Sequence, residues 1–180
     1  MKDTESHAAA FDPDVEPMEK LDELCERLKE YNPTVHRPDD PDPEYNYLEP
    51  GCACVTLDNP FREWPMFIDL EGEFSLTYGN WHSHYFGSES EYQCLLKDID
   101  NILTNRACAA TLFTGTEKKW LGSRLITKDQ LERLQVQEVF EYVLKYPEFK
   151  KRLQDNGGIA EFRFWNIIDD TDIIIEPSSH

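Results

Sequence analysis

Short stretches of the chain alternate between hydrophobic and polar residues, which is the pattern of half-buried β-strands. Residues 66–70 and 74–78 lie on either side of Gly72, and this predicts a β-hairpin whose turn uses the conformational freedom of glycine. Within residues 74–78, large apolar side chains alternate with Ser75 and Thr77, so one face of this strand is expected to be buried. Further strands are predicted at residues 54–57, 107–113, 120–126, 159–167 and 173–175.

Other stretches repeat their apolar residues with helical spacing. Ser88 and Glu91 have the spacing of a capping box, and the apolar stripe behind them predicts a helix over residues 89–104. Thr127 and Gln130 repeat the capping spacing in front of a second apolar helical pattern. This order of strands and helices predicts an α+β domain in which an antiparallel β-sheet carries helices packed on one face.

The N-terminal part of the chain differs in composition from the rest. The first fifteen or so residues are polar and are expected to form a mobile arm, and apolar residues at helical spacing between Met18 and Leu28 predict a short amphipathic helix. Residues 37–44 combine three prolines with four carboxylates, which predicts a linker or an extended acidic strap. We therefore divide the chain into an acidic arm, helix and linker at residues 1–50 and a single α+β domain at residues 51–180.

The charge of the chain restricts the classes of partner. Among its 180 residues 36 are acidic and 18 are basic, so the formal net charge is −18. This balance argues against binding to nucleic acid or to an anionic membrane, because both require cations that face phosphate. No apolar run approaches the ~20 residues of a membrane span, and the first seven residues lack the features of a signal peptide. We expect a soluble cytoplasmic protein.

Two histidines supply the first candidate chemistry. If residues 81–85 are extended, His82 and His84 point to the same face, and this spacing suits two ligands of one transition metal. Cys52 and Cys54 have the same spacing, and their thiolates would complete a Cys2His2 site for zinc. The alternative is that both histidines hydrogen-bond within the sheet or line a polar groove, with no cofactor bound.

The remaining reactive residues do not form a recognisable catalytic motif. The five cysteines lack the spacing of a disulfide framework, so reduced thiols are expected, with Cys94 and Cys108 buried in apolar patterns. Core packing is predicted for Trp120 and Trp165, whereas Trp81, beside His82, is predicted to be partly exposed as an anchor for a ligand or partner. No nucleophile elbow or local Cys–His signature is present in the sequence. The residues favour a non-catalytic protein over an enzyme.

Three short motifs carry a family resemblance. They are Leu57 to Pro60, Phe67 to Gly72, and Trp81 to His84. Over residues 51–126 the chain resembles the small bacterial immunity proteins of polymorphic toxin systems. The resemblance implies a cytoplasmic, acidic α+β domain that binds and neutralises a cognate toxin without catalytic activity of its own. The acidic arm and linker lie outside it.

The leading hypothesis is therefore an immunity-type inhibitor whose acidic surface binds a basic protein, such as a nuclease toxin. The residues predicted to contact the partner are Asp39, Asp40, Asp42, Glu44, Trp81, His82, His84 and Tyr85. A metal-binding domain or metal-dependent hydrolase that uses His82 and His84 is the main alternative. A small-ligand module and an acidic mimic of DNA are two further hypotheses.

Overall fold

The computed structural model describes residues 15–178 and confirms the α+β class. Its strands form two antiparallel sheets, and each sheet carries helices on one face. The predicted N-terminal arm falls largely on residues 1–14, which lie outside the described residues.

The first sheet is a five-stranded meander in which each strand pairs with the next one along the chain. Alternate residues of its central hairpin are fully buried, as the alternation predicts, and pack against two helices, α1 (Leu21–Leu28) and α2 (Glu89–Leu103). The Ser88 hydroxyl caps α2 by accepting the backbone N–H of Glu91 at 3.2 Å. The strands are β1 (Thr34–His36), β2 (Ala53–Leu57), β3 (Met66–Leu70), β4 (Phe74–Tyr78) and β5 (Trp81–Tyr85).

The second sheet has the strand order β7, β6, β8, β9. One face of it, which carries Cys108 and Leu112, packs against the helical layer of the C-terminal half. The strands are β6 (Ala107–Thr114), β7 (Lys119–Thr127), β8 (Gly158–Arg163) and β9 (Thr171–Ile175). The helices are α3 (Lys128–Arg133), α4 (Val136–Val139), α5 (Glu141–Leu144) and α6 (Pro147–Asn156).

The second helical pattern forms several short helices. The predicted capping box of Thr127 and Gln130 is present at the start of α3. Leu134 then adopts extended backbone angles, and Phe140 leaves the helical region between α4 and α5. The apolar residues of the pattern still reach the core, because Val139 and Phe140 are buried against the second sheet.

Residues near the start of the described chain share a core with the first sheet. Leu24 and Leu28 of α1 are buried in the same apolar cluster as β3 and β4. Strand β1 pairs with β2 through Val35 and Val55. The segment that follows, residues 37–50, returns across the sheet and contributes Tyr45 and Leu48 to a small third cluster with Cys54.

Polar contacts join the two sheets around the end of β8. The Tyr78 hydroxyl donates to the carbonyl of Phe164 at 2.6 Å, and the Asn59 side-chain amide donates to the carbonyl of Trp165 at 3.0 Å. Arg62 donates to the same Phe164 carbonyl and to the carboxylate of Asp170. Because Trp165 is buried in the core of the first sheet, the two halves form one packed unit.

Candidate functional site

His82 and His84 lie on β5, on the face of the first sheet opposite α1 and α2. Both are exposed, and their ring centroids are 5.5 Å apart in an edge-to-face arrangement. The same-face geometry predicted for extended residues 81–85 is therefore present. Nδ1 of His84 lies 2.8 Å from Oε1 of Glu73, which is in the turn between β3 and β4. This contact gives His84 a hydrogen-bonding partner at the sheet surface.

Trp81 and Tyr85 lie on the opposite face of the same strand. Both are buried in the core of the first sheet, so the prediction that Trp81 is partly exposed is wrong. The physical reason is the period of the strand, since residues that flank two exposed histidines must point inward. The Tyr85 hydroxyl donates to Asp98 of α2 at 2.8 Å, which satisfies it inside the fold.

The four proposed zinc ligands do not come together. Cys54 lies on β2 and His84 on β5, three strand spacings apart, which is roughly 14 Å across a sheet. Burial and the neighbouring Asp69 carboxylate also raise the pKa of the Cys54 thiol well above its usual range. No group of three or more His, Cys, Asp or Glu side chains within residues 15–178 is arranged to hold a metal ion.

The acidic segment, residues 37–50, is tied to the sheet by its own side chains. Asp40 accepts the backbone N–H of Asp42 at 2.9 Å and lies 2.8 Å from Nδ1 of His36. The hydrogen bond from Asp42 and the contact with His36 together hold the pKa of Asp40 below its usual range. The Asp42 carboxylate in turn accepts the backbone N–H of Glu44, whereas Asp39 stays exposed.

Three side chains, Thr56 of β2, His36 of β1 and Asp40 of the acidic segment, have the order of a nucleophile, a base and a carboxylate. Nε2 of His36 lies 3.0 Å from the Thr56 hydroxyl, and its Nδ1 faces Asp40. Tyr45 stacks on the His36 ring with centroids 3.6 Å apart, and Thr56 is 5% exposed. A substrate has no approach to this hydroxyl, so the three side chains act as a clamp that holds the acidic segment on β1 and β2.

The second sheet carries a row of apolar side chains on the face that its helices leave uncovered. Register aligns Trp120 with Phe113, Phe113 with Ile159, and Ile159 with Ile174, so the row crosses all four strands. Trp120 is 57% exposed and Ile174 is 64% exposed, whereas Phe113 and Ile159 are half-buried. We call these four residues the apolar row. None of them belongs to the core clusters formed by the described residues.

The prediction that Trp120 packs in the core is wrong, and a β-bulge explains why. Period-two alternation places Trp120 on the same face as Gly122 and Ile126, and Ile126 is buried under the helices. The register shifts between Leu112 and Phe113, where β7 contains one extra residue. The shift turns Trp120 to the opposite face. Trp165, by contrast, is buried as predicted.

Four charged side chains lie beside the apolar row, and we call them the charged row: Lys118, Glu161, Arg163 and Asp172. They form ion pairs with one another. Glu161 of β8 contacts Nζ of Lys118 at 2.6 Å and a guanidinium nitrogen of Arg163 at 3.1 Å. Burial alone would lower the pKa of Arg163, but its hydrogen bond with Asp172 and the nearby carboxylates raise it. The row leads into a cleft of about 260 Å³ between the two sheets, where Trp64 and Phe67 form the apolar wall.

Burial was predicted for both Cys94 and Cys108, and the structure confirms it for Cys108 alone. Cys108 is buried on β6, and burial raises the pKa of its thiol to about 12. Cys94 is exposed on α2 because it lies on the side of the helix opposite the apolar stripe, so its predicted burial is wrong. Among the described residues all five cysteines are free thiols.

Comparison of the chain with family models, curated proteins and solved structures gives no match. The resemblance to immunity proteins therefore stays a prediction that rests on short motifs. In the described part of the chain, no helix combines the length and the apolar character needed to cross a membrane.

Proposed function

We propose that this chain is a non-catalytic protein that binds a basic protein partner through the uncovered face of its second sheet. The apolar row is the observation that carries the proposal. Contiguous exposed apolar side chains on a folded domain mark interaction surfaces, and tryptophan is among the residue types most often found as binding hot spots. Trp120 and Ile174 supply the exposed area, and Phe113 and Ile159 form a floor between them.

The basic character of the partner follows from charge. A net charge of −18 creates a field that attracts a cationic surface over distances longer than a hydrogen bond. The neighbouring charged row is already paired within the fold, so docking on the apolar row does not leave Glu161 or Asp172 as uncompensated charges. The net negative charge of the chain thus provides the long-range attraction, and the apolar row provides the local contact.

The turn between β3 and β4 adds to the acidic field. Burial and the carboxylates of Asp69, Glu49 and Glu73 raise the pKa of Glu71, because these charges repel one another. A cation brought near this turn relieves the repulsion. A nuclease toxin is one basic protein that fits this description, because a nuclease must present cations to phosphate. The proposal therefore includes an immunity-type role, in which the chain binds and neutralises such a toxin.

Affinity capture tests the proposal. Tagged full-length protein is incubated with a lysate of the organism that encodes it, at low and high ionic strength, with and without chelator, and bound proteins are identified by mass spectrometry. A basic protein captured by the wild type, insensitive to chelator and lost with Trp120→Ala, is the expected result. Phe86→Ala, which removes a 72% exposed aromatic side chain outside the apolar row, is the matched control. Capture of the same proteins by Trp120→Ala contradicts the proposal.

A further inference from the structure

Strand β9 forms one edge of the second sheet. Within residues 15–178 it pairs with β8 alone, so the backbone N–H and C=O groups on its other side have no strand to bond. Four of its five residues are exposed. An edge of this kind is a template on which an extended segment of another protein can pair.

Both faces of β9 offer apolar contacts to an added strand. Ile174 is the last member of the apolar row, so a neighbouring strand continues that row by one position. On the other face, Ile173 is partly exposed and Ile175 packs against the helical layer. Next to Ile175 lies a groove of about 880 Å³, lined among others by Leu144 and Leu153, with Lys145 and Glu176 at its sides. Alternate side chains of an added strand thus meet the apolar row on one face and the groove on the other.

We propose that the edge of β9 receives an extended segment of the basic partner as a fifth strand of the second sheet. This inference rests on the proposed function and specifies its binding mode. Main-chain hydrogen bonds to β9 supply part of the affinity, and apolar side chains on both faces supply the rest.

Charge decides between a basic partner and a second copy of this chain. Antiparallel self-pairing centred on Ile174 places Asp172 opposite Glu176, and self-pairing centred on Ile173 places Asp170 opposite the same glutamate. In both arrangements the exposed Glu176 faces a carboxylate whose own cation, Arg163 or Arg62, is already engaged within the fold, so a second copy offers Glu176 no cationic partner. A segment with apolar residues in the middle and lysine or arginine at its ends supplies that cation to the exposed Glu176.

Selection from a displayed library of random twelve-residue peptides, with the full chain as bait, tests the inference. The enriched peptides are expected to alternate apolar residues and to carry cationic ends. Hydrogen exchange of the complex should show protection of alternate backbone amides of β9. The double variant Ile173→Thr with Ile174→Thr is expected to weaken peptide binding about tenfold, because it removes apolar contact on both faces. Ile168→Thr, at an 83% exposed isoleucine outside the strand, is the matched control and should bind as the wild type does.

The outcomes separate this inference from the proposed function. One outcome is that the selected peptides bind the wild type but not Trp120→Ala, while the β9 amides stay unprotected. This result overturns strand addition but still supports the proposed binding of a partner to the uncovered face of the second sheet. Failure to enrich any peptide, or enrichment of peptides with acidic ends, also overturns the inference. Self-association of the wild type that the double variant abolishes assigns the edge to a second copy and contradicts a basic occupant.

Discussion

Trp120 lies directly opposite Phe113 on the neighbouring strands β7 and β6, on the face of the second sheet opposite the helices α3 to α6. Phe113 is half-buried, whereas more than half of the Trp120 side chain is exposed. Aromatic residues that face each other on neighbouring strands stabilise the sheet modestly. Most of the apolar area of Trp120 therefore remains available for contact with another molecule.

Substitution of Trp120 and Trp165 is expected to separate binding from stability. Trp120→Ala should lower the free energy of unfolding by about 1 kcal/mol or less, the size of a cross-strand side-chain pair. Trp165→Ala should lower it by about 3–5 kcal/mol, because this side chain is buried between the two halves of the fold. Urea denaturation followed by circular dichroism measures both. Equal losses for the two variants contradict the different burial of the two indoles.

The clamp of Asp40, His36 and Thr56 should make the stability of the fold depend on pH. The pKa of Asp40 is lower in the folded than in the unfolded protein, so its stabilising contribution is present above the unfolded value near 4 and is lost as pH falls through the folded value. Asp40→Asn should reduce stability at neutral pH and flatten the decline below pH ~4. Asp39→Asn, at an exposed neighbouring carboxylate, is the control. Denaturation curves between neutral and acid pH measure the effect, and identical profiles for both variants contradict the clamp.

Thiol reactivity should follow the burial of the cysteines. Cys94 is exposed on α2 and is expected to react first with an aromatic disulfide reagent under native conditions. Cys54 and Cys108 should react only on unfolding, because both are buried and burial raises the pKa of each thiol. Cys94→Ser should remove the fast phase, and persistence of that phase would assign the exposed thiol to another cysteine.

Arg62 is expected to contribute to the attachment of the two sheets. Its guanidinium donates to the carbonyl of Phe164 and to the carboxylate of Asp170, and it is largely buried. Arg62→Ala leaves both acceptors without this donor and should cost about 3–5 kcal/mol. Arg62→Lys keeps the charge but lacks the planar fork, so a smaller loss is expected. Arg133→Ala, at an exposed arginine, should change stability by less than about 0.5 kcal/mol. Thermal and urea denaturation provide the comparison.

Local sequence patterns predict much of the fold. The bounds of β3 and β4 agree with the alternation of their residues, and α2 ends within one residue of its predicted end. These elements are predictable because periodicity and capping residues act within a few positions along the chain. Strand β1 was not predicted. It has three residues in a proline-rich region, and its pairing with β2 depends on residues twenty positions away.

The candidate site was harder to predict for the same reason. Alternation correctly places His82 and His84 on one face, but the inward direction of Trp81 and Tyr85 depends on which face of the sheet the helices cover. The apolar row joins four strands from distant parts of the sequence, and its most exposed aromatic member is turned outward by a β-bulge. Alternation alone carries no signal for a one-residue register shift, although Gly122 next to Leu121 is a residue type found at bulges.

The dissociation constant of the captured partner tests the central claim most directly. It is measured at low and high ionic strength for the wild type, Trp120→Ala and Phe86→Ala. We expect Trp120→Ala to weaken binding by roughly 30-fold, corresponding to a hot-spot loss of about 2 kcal/mol, and Phe86→Ala to bind as the wild type does. High salt should weaken binding of all three proteins, because the attraction between the acidic chain and a basic partner is screened. Equal affinities of the three proteins, unchanged by salt, would contradict docking of a basic partner on the apolar row.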